Sequence, residues 1–342
     1  MIVRARAPLR LGFAGGGTDV SPYCDLHGGF VMNATIAKFA HATVDDANDG
    51  RVEFHVLDHD ESIAFDVGDV RQVDGKLALL VGVYLRLVRD YRGGRQSALR
   101  VRAYSDAPPG SGLGSSSTMV VALVTAMAEF FGLGLGEYEI ARLAWDIERR
   151  DLALAGGKQD QYAAAFGGFN FMEFHRDDRV IVNPLRMKPW VVAELESSLV
   201  LYFTGVSRAS AAIIDEQIRN VSHGDANSLD AMHRLKEEAT AMKEALLRGD
   251  LRAFMRTLQA GWEAKKRMAA SITNPTIDAV ERIAFDNGAQ ATKVSGAGGG
   301  GFMMFFCEPH DRVRLVQALG DAGGRCMDFH FTLEGASAWR PM

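Results

Sequence analysis

The chain has 342 residues, a length that allows two domains and a large buried core. Its apolar share of 47% and charged share of 24% are typical of a soluble globular protein. The net charge of −5, without a basic block, argues against a nucleic-acid partner, and no apolar run approaches the roughly 20 residues that span a bilayer. The three cysteines lack metal-ligand spacing, and residues 1–8 lack the apolar region of a signal peptide, so we expect a reduced cytoplasmic setting without a membrane partner.

The first segment alternates apolar residues with arginine and predicts a strand over residues 2–7 that ends at Pro8. Three glycines at positions 15–17 then precede Thr18 and Asp19. This pattern gives an open backbone beside one carboxylate, which can accept charge-assisted hydrogen bonds from sugar hydroxyls. The residues leave a second interpretation open, in which the glycines form a turn and Asp19 caps another element.

Alternating apolar patterns predict further strands, and a helical spacing of apolar residues predicts a surface-packed helix. The strands are expected at residues 30–36, 41–45 and 52–56, with a hairpin turn at 45–50, and the helix at 77–91.

A glycine- and serine-rich loop, residues 107–118, lies between a predicted strand (98–104) and a predicted helix (119–131). Gly110, Gly112 and Gly114 allow positive φ and a close approach of the backbone to a ligand. The hydroxyl residues 115–118 fall at the helix start, where unpaired N–H groups and the helix dipole favour an anion. Hydroxyl oxygens are also ligands that Mg²⁺ accepts beside phosphates. We interpret this loop as a phosphate cradle for a nucleotide.

Other interpretations of the loop fit less well. A flexible linker is seldom placed between a strand and an apolar helix. The Walker pattern requires a lysine that this loop lacks, and the dinucleotide fingerprint requires a different glycine spacing.

A predicted amphipathic helix over residues 135–151 carries Glu148 near its end, and Asp160 follows in a loop that enters another helix. Phosphoryl transfer requires positioning, a metal at the phosphates, and a group that orients or deprotonates the acceptor hydroxyl. Glu148 and Asp160 can divide these tasks, with Glu148 on Mg²⁺ and Asp160 facing the hydroxyl. Spacing alone leaves both open as solvated surface carboxylates.

The second half predicts a hairpin over residues 168–183, a buried strand at 198–203, three helices between 209 and 268, and a helix at 274–286. Arg208, in the first turn of a helix, is easier to explain if an anion such as a substrate phosphate binds nearby. Lys158 and Arg10 are competing phosphate ligands, and surface solvation of Arg208 is the alternative. The basic run 265–267 is interpreted as a solvated face that could border an anionic substrate.

Residues 289–306 predict a strand, a glycine loop and a second strand, followed by a helix at 312–319 and a closing strand at 325–332. A hairpin with only a structural role would be weakened by this many glycines. We therefore expect another backbone segment or a phosphate to approach this loop closely.

Three motifs in this order resemble those of the GHMP kinases: AGGGTD at 14–19, PGSGLGSSS at 109–117 and KVSGAGGGG at 293–301. The resemblance implies an α+β fold with an N-terminal nucleotide-binding domain (1–190) and a C-terminal ferredoxin-like domain (191–342), with ATP and substrate between them. It also implies that the third motif packs against the phosphate loop.

The resemblance assigns roles to individual residues. Asp160 is the expected base and Lys158 a further catalytic residue, while Glu148 and Ser116 are the expected Mg²⁺ ligands, with Ser115 or Ser117 left open. The expected ATP-binding residues are Pro109, Gly110, Ser111, Gly112, Leu113, Gly114, Ser115, Ser116 and Ser117. The expected substrate-binding residues are Arg10, Gly15, Gly16, Gly17, Thr18, Asp19, Arg208 and Gly298.

Within the family, the first motif looks most like that of the D-glycero-D-manno-heptose 7-phosphate kinases and lacks the Gly-Glu-His-x-Asp core of galactokinases. This implies ATP- and Mg²⁺-dependent phosphorylation of an anomeric C1 hydroxyl to a 1,7-bisphosphate, for GDP-heptose and capsule synthesis. A kinase for fucose or another free sugar and a non-catalytic sugar- or ATP-sensing regulator remain alternatives, and a homodimer is left open.

Overall fold

The first half of the chain builds most of one sheet and the helices that cover it. The computed structural model describes residues 1–47, 49–108, 110–205, 210–223 and 225–342, without the side chains of 210 and 211. In chain order the elements are β1 (Ile2–Ala14), α1 (Tyr23–His27), β2 (Gly29–Asp46), β3 (Arg51–Val56), β4 (Glu61–Asp66), α2 (Ala78–Tyr91), β5 (Leu99–Ser105), α3 (Ser115–Phe131), α4 (Glu137–Asp146), α5 (Gln159–Phe166), β6 (Phe169–Phe174) and β7 (Val180–Pro184).

The second half alternates long helices with short strands. Its elements are α6 (Pro189–Ser198), β8 (Leu199–Phe203), α7 (Ser210–Ser222), α8 (Ala226–Arg248), α9 (Leu251–Lys266), α10 (Pro275–Asp286), β9 (Ala289–Val294), β10 (Phe302–Cys307), α11 (Arg312–Asp321), β11 (Arg325–Met327) and β12 (Ser337–Trp339). The expected boundary between residues 190 and 191 falls in the first turn of α6. Among the described residues, no helix combines the length and apolar character needed to cross a membrane.

The eight-stranded first sheet is organised around β2, which pairs with three other strands. Its first half pairs with β6, its second half with β5, and β1 runs antiparallel along nearly its whole length. The separate strands expected at 30–36 and 41–45 are therefore one continuous strand.

The expectation that Pro8 ends the first strand is wrong. Strand β1 continues through Pro8 to Ala14, and its register with β2 shifts between Pro8 and Leu9. Proline has no N–H group to donate to a neighbouring strand, so a strand tolerates proline where its pairing is irregular. The continuation is important for the site because it carries Arg10 and ends at the first glycine motif.

The second sheet has the order β11-β8-β10-β9, with all its pairings antiparallel. Numbered within this sheet, the strand order is 4-1-3-2, and helices connect the first strand to the second and the third to the fourth. This is the ferredoxin-like arrangement that the family resemblance implied, so the two-part α+β fold is confirmed.

A shared apolar core holds the two sheets together. Leu9, Leu11 and Phe13 of β1 belong to one buried cluster with Leu201 of β8 and Phe306 of β10. A second apolar cluster lies between the first sheet and its helices, and a third lies between the second sheet and its helices. The cleft between the motifs is therefore built on a common packed interior.

The end of the described chain returns to the first sheet. The closing strand expected at 325–332 is only three residues long in β11, after which Phe331 bridges to Ile36 and β12 pairs with β1. The sequence did not predict β12.

Candidate active site

One cleft collects the three glycine motifs and the two predicted carboxylates. Its walls come from the glycine loop after β1, the phosphate loop before α3, residues 148–160, α7, α9 and the loop between β9 and β10. Both Glu148 and Asp160 line it. The fold therefore assembles into one place residues that are far apart in the sequence.

The phosphate loop has the backbone conformation that its glycines predicted. Gly110, Gly112 and Gly114 have φ angles of 70°, 80° and 76°. Helix α3 starts at Ser115, immediately after Gly114, so the free N–H groups of its first turn lie at the cleft. Such a helix start favours a bound phosphate.

The third motif packs against the phosphate loop, as the family resemblance implied. The Ser295 hydroxyl donates to the Gly112 carbonyl at 2.8 Å, and the Phe302 N–H donates to the Ser111 carbonyl at 2.8 Å. A Cβ on Gly112 would lie 2.4 Å from the Ser295 carbonyl oxygen, so the contact requires glycine there. The third motif thus fixes the phosphate loop, while Gly110, Gly112 and Gly114 line the cleft.

Glu148 lies in a π-helical turn, Ile147–Asp151, that follows α4. π-turns inside helices are frequent at functional sites. The Ser117 hydroxyl donates to Glu148 Oε1 at 3.0 Å, and the Gln161 amide donates to Oε2. Because the side chain is 1% exposed, burial raises the pKa of the Glu148 carboxyl. Ser116, the expected metal ligand, lies on the cleft wall, while its alternative Ser117 contacts Glu148.

Asp160 forms an ion pair with Arg10 through one of its carboxylate oxygens. Arg10 Nε and Nη2 lie 2.7 and 2.6 Å from Asp160 Oδ1, and Nη1 donates to the Gly112 carbonyl at 2.6 Å. Asp160 lies directly beside the phosphate loop, since a Cβ on Gly114 would lie 3.1 Å from its carboxyl carbon. The carboxylate is 24% exposed and therefore accessible from the cleft.

Asp19 caps the helix that carries Asp160. Its Oδ2 accepts hydrogen bonds from the N–H groups of Lys158 and Gln159 at 2.8 and 3.0 Å. Its Oδ1 accepts from the Gly17 N–H and from the Gln159 amide at 3.2 and 3.3 Å. The capping interpretation that the sequence left open is therefore present, although Asp19 also lines the cleft.

Several predicted site residues support the cleft without lining it. Thr18 is fully buried and donates from its hydroxyl to the Gly15 and Phe30 carbonyls, which fixes the first glycine loop to β2. Gly298 packs on Ile272. The cleft lining likewise lacks Gly15, Ser111 and Leu113, whereas Gly16 and Gly17 are part of it.

Lys158 extends its side chain away from the cleft. Its ammonium lies 2.9 Å from Asp178 Oδ1 and 5.3 Å from the ring centre of Trp145. Burial opposes its charge, but the hydrogen bond to Asp178 and the neighbouring carboxylates leave the pKa of Lys158 raised. Pro109 and Arg208 lie outside the described residues.

The site also contains residues that the sequence did not assign, some in the cleft lining and one buried behind it. Gln161 was visible beside Asp160, but nothing in the sequence indicated that it would bind Glu148. Arg149, Gln217 and Lys265 line the cleft, whereas Gln161 is fully buried behind its wall. Lys265 is 3% exposed and belongs to the basic run that was interpreted mainly as a solvated face.

A second cavity adjoins the phosphate loop on the side of Ser116. It shares Ser116 and Leu154 with the main cleft, and its other walls include Val73 and Leu79. Its partly apolar lining next to the start of α3 suits the flat base of a nucleotide.

Comparison with known proteins agrees with this arrangement. The family described as GHMP kinases N terminal domain matches residues 78–168, and GHMP kinases C terminal matches residues 242–324. The chain is 46% identical to D-glycero-alpha-D-manno-heptose 7-phosphate kinase of Campylobacter jejuni, covering 99% of each chain. It is 27% identical to the L-fucokinase/L-fucose-1-P guanylyltransferase of Bacteroides fragilis, over 93% of this chain and 36% of that protein.

A solved structure is similar along the full length. The crystal structure of a D-glycero-D-manno-heptose 1-phosphate kinase from Bacteroides thetaiotaomicron is 46% identical, with a TM-score of 0.84 and 99% coverage of each chain. Together with the two family matches and the three motifs at one cleft, this similarity establishes that the chain belongs to the GHMP kinases.

Proposed function

We propose that this ATP-dependent carbohydrate kinase phosphorylates the C1 hydroxyl of D-glycero-D-manno-heptose 7-phosphate to give the 1,7-bisphosphate, for GDP-heptose and capsular polysaccharide synthesis. One observation carries the kinase mechanism: Asp160, held by Arg10, lies directly beside Gly114 at the head of the phosphate-loop helix. An acceptor hydroxyl on Asp160 therefore faces the end of a phosphate chain on that loop.

In this proposal the ATP phosphates bind at residues 110–117, and the base extends toward Val73 and Leu79. The backbone N–H groups at the start of α3 then hold the phosphates. Arg10 contributes its charge next to Gly112, where charge develops on the transferred group.

The residues present fit a Mg²⁺ ion. Glu148 and Ser117 form a buried pair of oxygen donors at the phosphate loop, and Gln161 Oε1 is buried without a partner among the described residues. Glu148 and a hydroxyl of Ser116 or Ser117 would hold the ion. When bound, Mg²⁺ neutralises charge on the β- and γ-phosphates.

Asp160 acts as the base. As the C1 oxygen forms a bond to the γ-phosphorus, the bond from that phosphorus to the β,γ-bridging oxygen breaks and ADP leaves. The hydroxyl proton passes to the Asp160 carboxylate, which the ion pair with Arg10 holds in position.

The substrate is the part of the proposal that rests on the relatives. The two heptose-phosphate kinases are equally similar to this chain, but their names differ in the position of the phosphate that the sugar carries before the reaction. It is at C7 in one name and at C1 in the other. Both sugar phosphates would give the same bisphosphate, so the product does not distinguish them. Each sugar phosphate must therefore be tested as substrate in a separate assay.

ADP release measured with heptose 7-phosphate, heptose 1-phosphate, free heptose, fucose and galactose tests the proposal. The 7-phosphate should have the highest kcat/KM. A higher kcat/KM with the 1-phosphate would show that the C7 hydroxyl, and not the C1 hydroxyl, is the acceptor. Preference for fucose would favour the free-sugar alternative, which the fucokinase relative supports. No turnover with any of the sugars would favour a sensor.

A further inference from the structure

Lys265 and Gln217 are among the polar cleft side chains that have no task in the mechanism above. Lys265 comes from α9 and Gln217 from α7, and both line the cleft. They face consecutive residues of the first glycine loop. A Cβ on Gly16 would lie 3.9 Å from Lys265 Nζ, and a Cβ on Gly17 would lie 3.5 Å from Gln217 Oε1.

Both side chains have hydrogen-bond donors that the protein leaves unused. Lys265 donates to the Gly296 carbonyl and forms no ion pair with any carboxylate in the described ranges, although an ammonium group has three donors. Gln217 is 7% exposed, and its Nε2 has no partner in the same part of the chain. Unpaired buried donors are costly, so this arrangement favours a ligand with several acceptor oxygens.

The other cationic residues on the cleft wall are already engaged. Arg10 binds Asp160 and the Gly112 carbonyl. Arg149 donates to the backbone carbonyls of Leu154, Ala155 and Gly157, and its Nη2 lies 3.9 Å from Glu148 Oε1. Within the described chain, Lys265 is therefore the cleft-lining cation that has no carboxylate partner, and its ammonium has donors left for an anion.

We propose that Lys265 and Gln217 bind the phosphate group that the acceptor sugar already carries, and that they select sugar phosphates over free sugars. This inference rests on the proposed function and names the part of the site that recognises the substrate's own phosphate. A phosphate offers three strong acceptor oxygens and a charge of about −2, which match an ammonium and an amide. Asp19 lies nearby but competes little, because four protein donors already occupy its carboxylate.

Steady-state kinetics of Lys265→Met with heptose 7-phosphate and with free heptose test the inference. The variant should raise KM for the phosphorylated sugar about 10- to 100-fold, because it removes a charge-assisted hydrogen bond, and should change kcat/KM for the free sugar less than about 3-fold. Gln217→Glu keeps the side-chain size and places a negative charge there, so it should have the same selective effect. Lys266→Met is the matched control, since Lys266 is on the same helix and pairs with Glu263 outside the cleft.

The possible outcomes separate this inference from the proposed function. If the wild type does not prefer the phosphorylated sugar, both are wrong. If the wild type prefers it and both variants keep that preference, only the present inference is wrong. An equal loss of kcat with both sugars would also overturn it, because Lys265 would then act on the transferred phosphoryl group. Far-ultraviolet circular dichroism and the KM for ATP, which should not change, check that the variants fold.

Discussion

Asp19 is joined to Asp160 through the first turn of α5, because its carboxylate accepts the N–H groups of the two residues that precede Asp160. Asp19 is buried and makes two further hydrogen bonds to Gly17 and Gln159. The first glycine motif therefore fixes the direction of the helix that carries the proposed base.

Asp19→Ala should lower both stability and turnover. Loss of a cap costs about 0.5–2 kcal/mol of unfolding free energy, and loosening of α5 should also lower kcat at least 10-fold by displacing Asp160. Urea denaturation and ADP release measure the two effects. Asp225→Ala is the matched control, because Asp225 caps α8 away from the cleft and should reduce stability alone. Equal stability losses with normal turnover in both variants would leave Asp19 a purely structural cap.

Asp160→Asn should abolish most turnover while ATP binding remains. An amide cannot take the hydroxyl proton, so we expect kcat to fall about 10²- to 10⁴-fold. Calorimetric titration with a non-hydrolysable ATP analogue should give a Kd within about 3-fold of wild type. Asp286→Asn changes an exposed carboxylate at the end of α10 and should leave both values unaltered. Normal turnover in Asp160→Asn would remove this residue from the mechanism.

The hydroxyl partner of Glu148 can be identified with a pair of variants. Ser117→Ala removes the hydroxyl that contacts Glu148, whereas Ser116→Ala removes the neighbouring, exposed hydroxyl. We expect the Mg²⁺ concentration for half-maximal activity to rise about 10-fold in Ser117→Ala and to change little in Ser116→Ala. The opposite ranking would assign the metal ligand to Ser116, the residue that the family resemblance implies.

The proposed role of Lys265 predicts a particular pH dependence. Burial, followed by the charge of Arg10, lowers the pKa of Lys265 to about 8, while Asp19 opposes the shift and Lys293 is a further nearby cation. The ammonium is charged below this pKa, so kcat/KM for heptose 7-phosphate should fall as pH rises through about 8. The substrate phosphate itself, with a second pKa of about 6, is already a dianion there.

Lys265→Arg keeps the charge at all these pH values, so its kcat/KM should show no fall near pH 8. The measurement is kcat/KM from pH 6.5 to 9.5 for both proteins. If kcat/KM falls near pH 8 in Lys265→Arg as it does in the wild type, the titrating group is not Lys265.

The sequence predicted those features that depend on local chemistry. The φ angles of the phosphate loop follow from glycine at 110, 112 and 114, and the helices follow from their apolar spacing. The contact between the third motif and the phosphate loop was also predicted, but from the family resemblance.

Features that depend on long-range packing were not predictable from local pattern. Proline at position 8 indicated a strand end, but pairing with the long β2 carries β1 onward. Lys265 and Gln217 look like ordinary polar helix residues, and only the packing of α7 and α9 on the first glycine loop brings them to the cleft. Lys158 was expected at the cleft, but its ion pair with Asp178 holds its side chain elsewhere.

The pairing of β12 with β1 has a consequence for how the chain folds during synthesis. Arg4, Ala5 and Arg6 of β1 pair with residues 337–339, so this strand has an open edge until those late residues have left the ribosome. Open strand edges promote association between chains, and contacts between distant residues slow folding. The strand that carries Arg10 is thus made long before the segment that completes its side of the sheet.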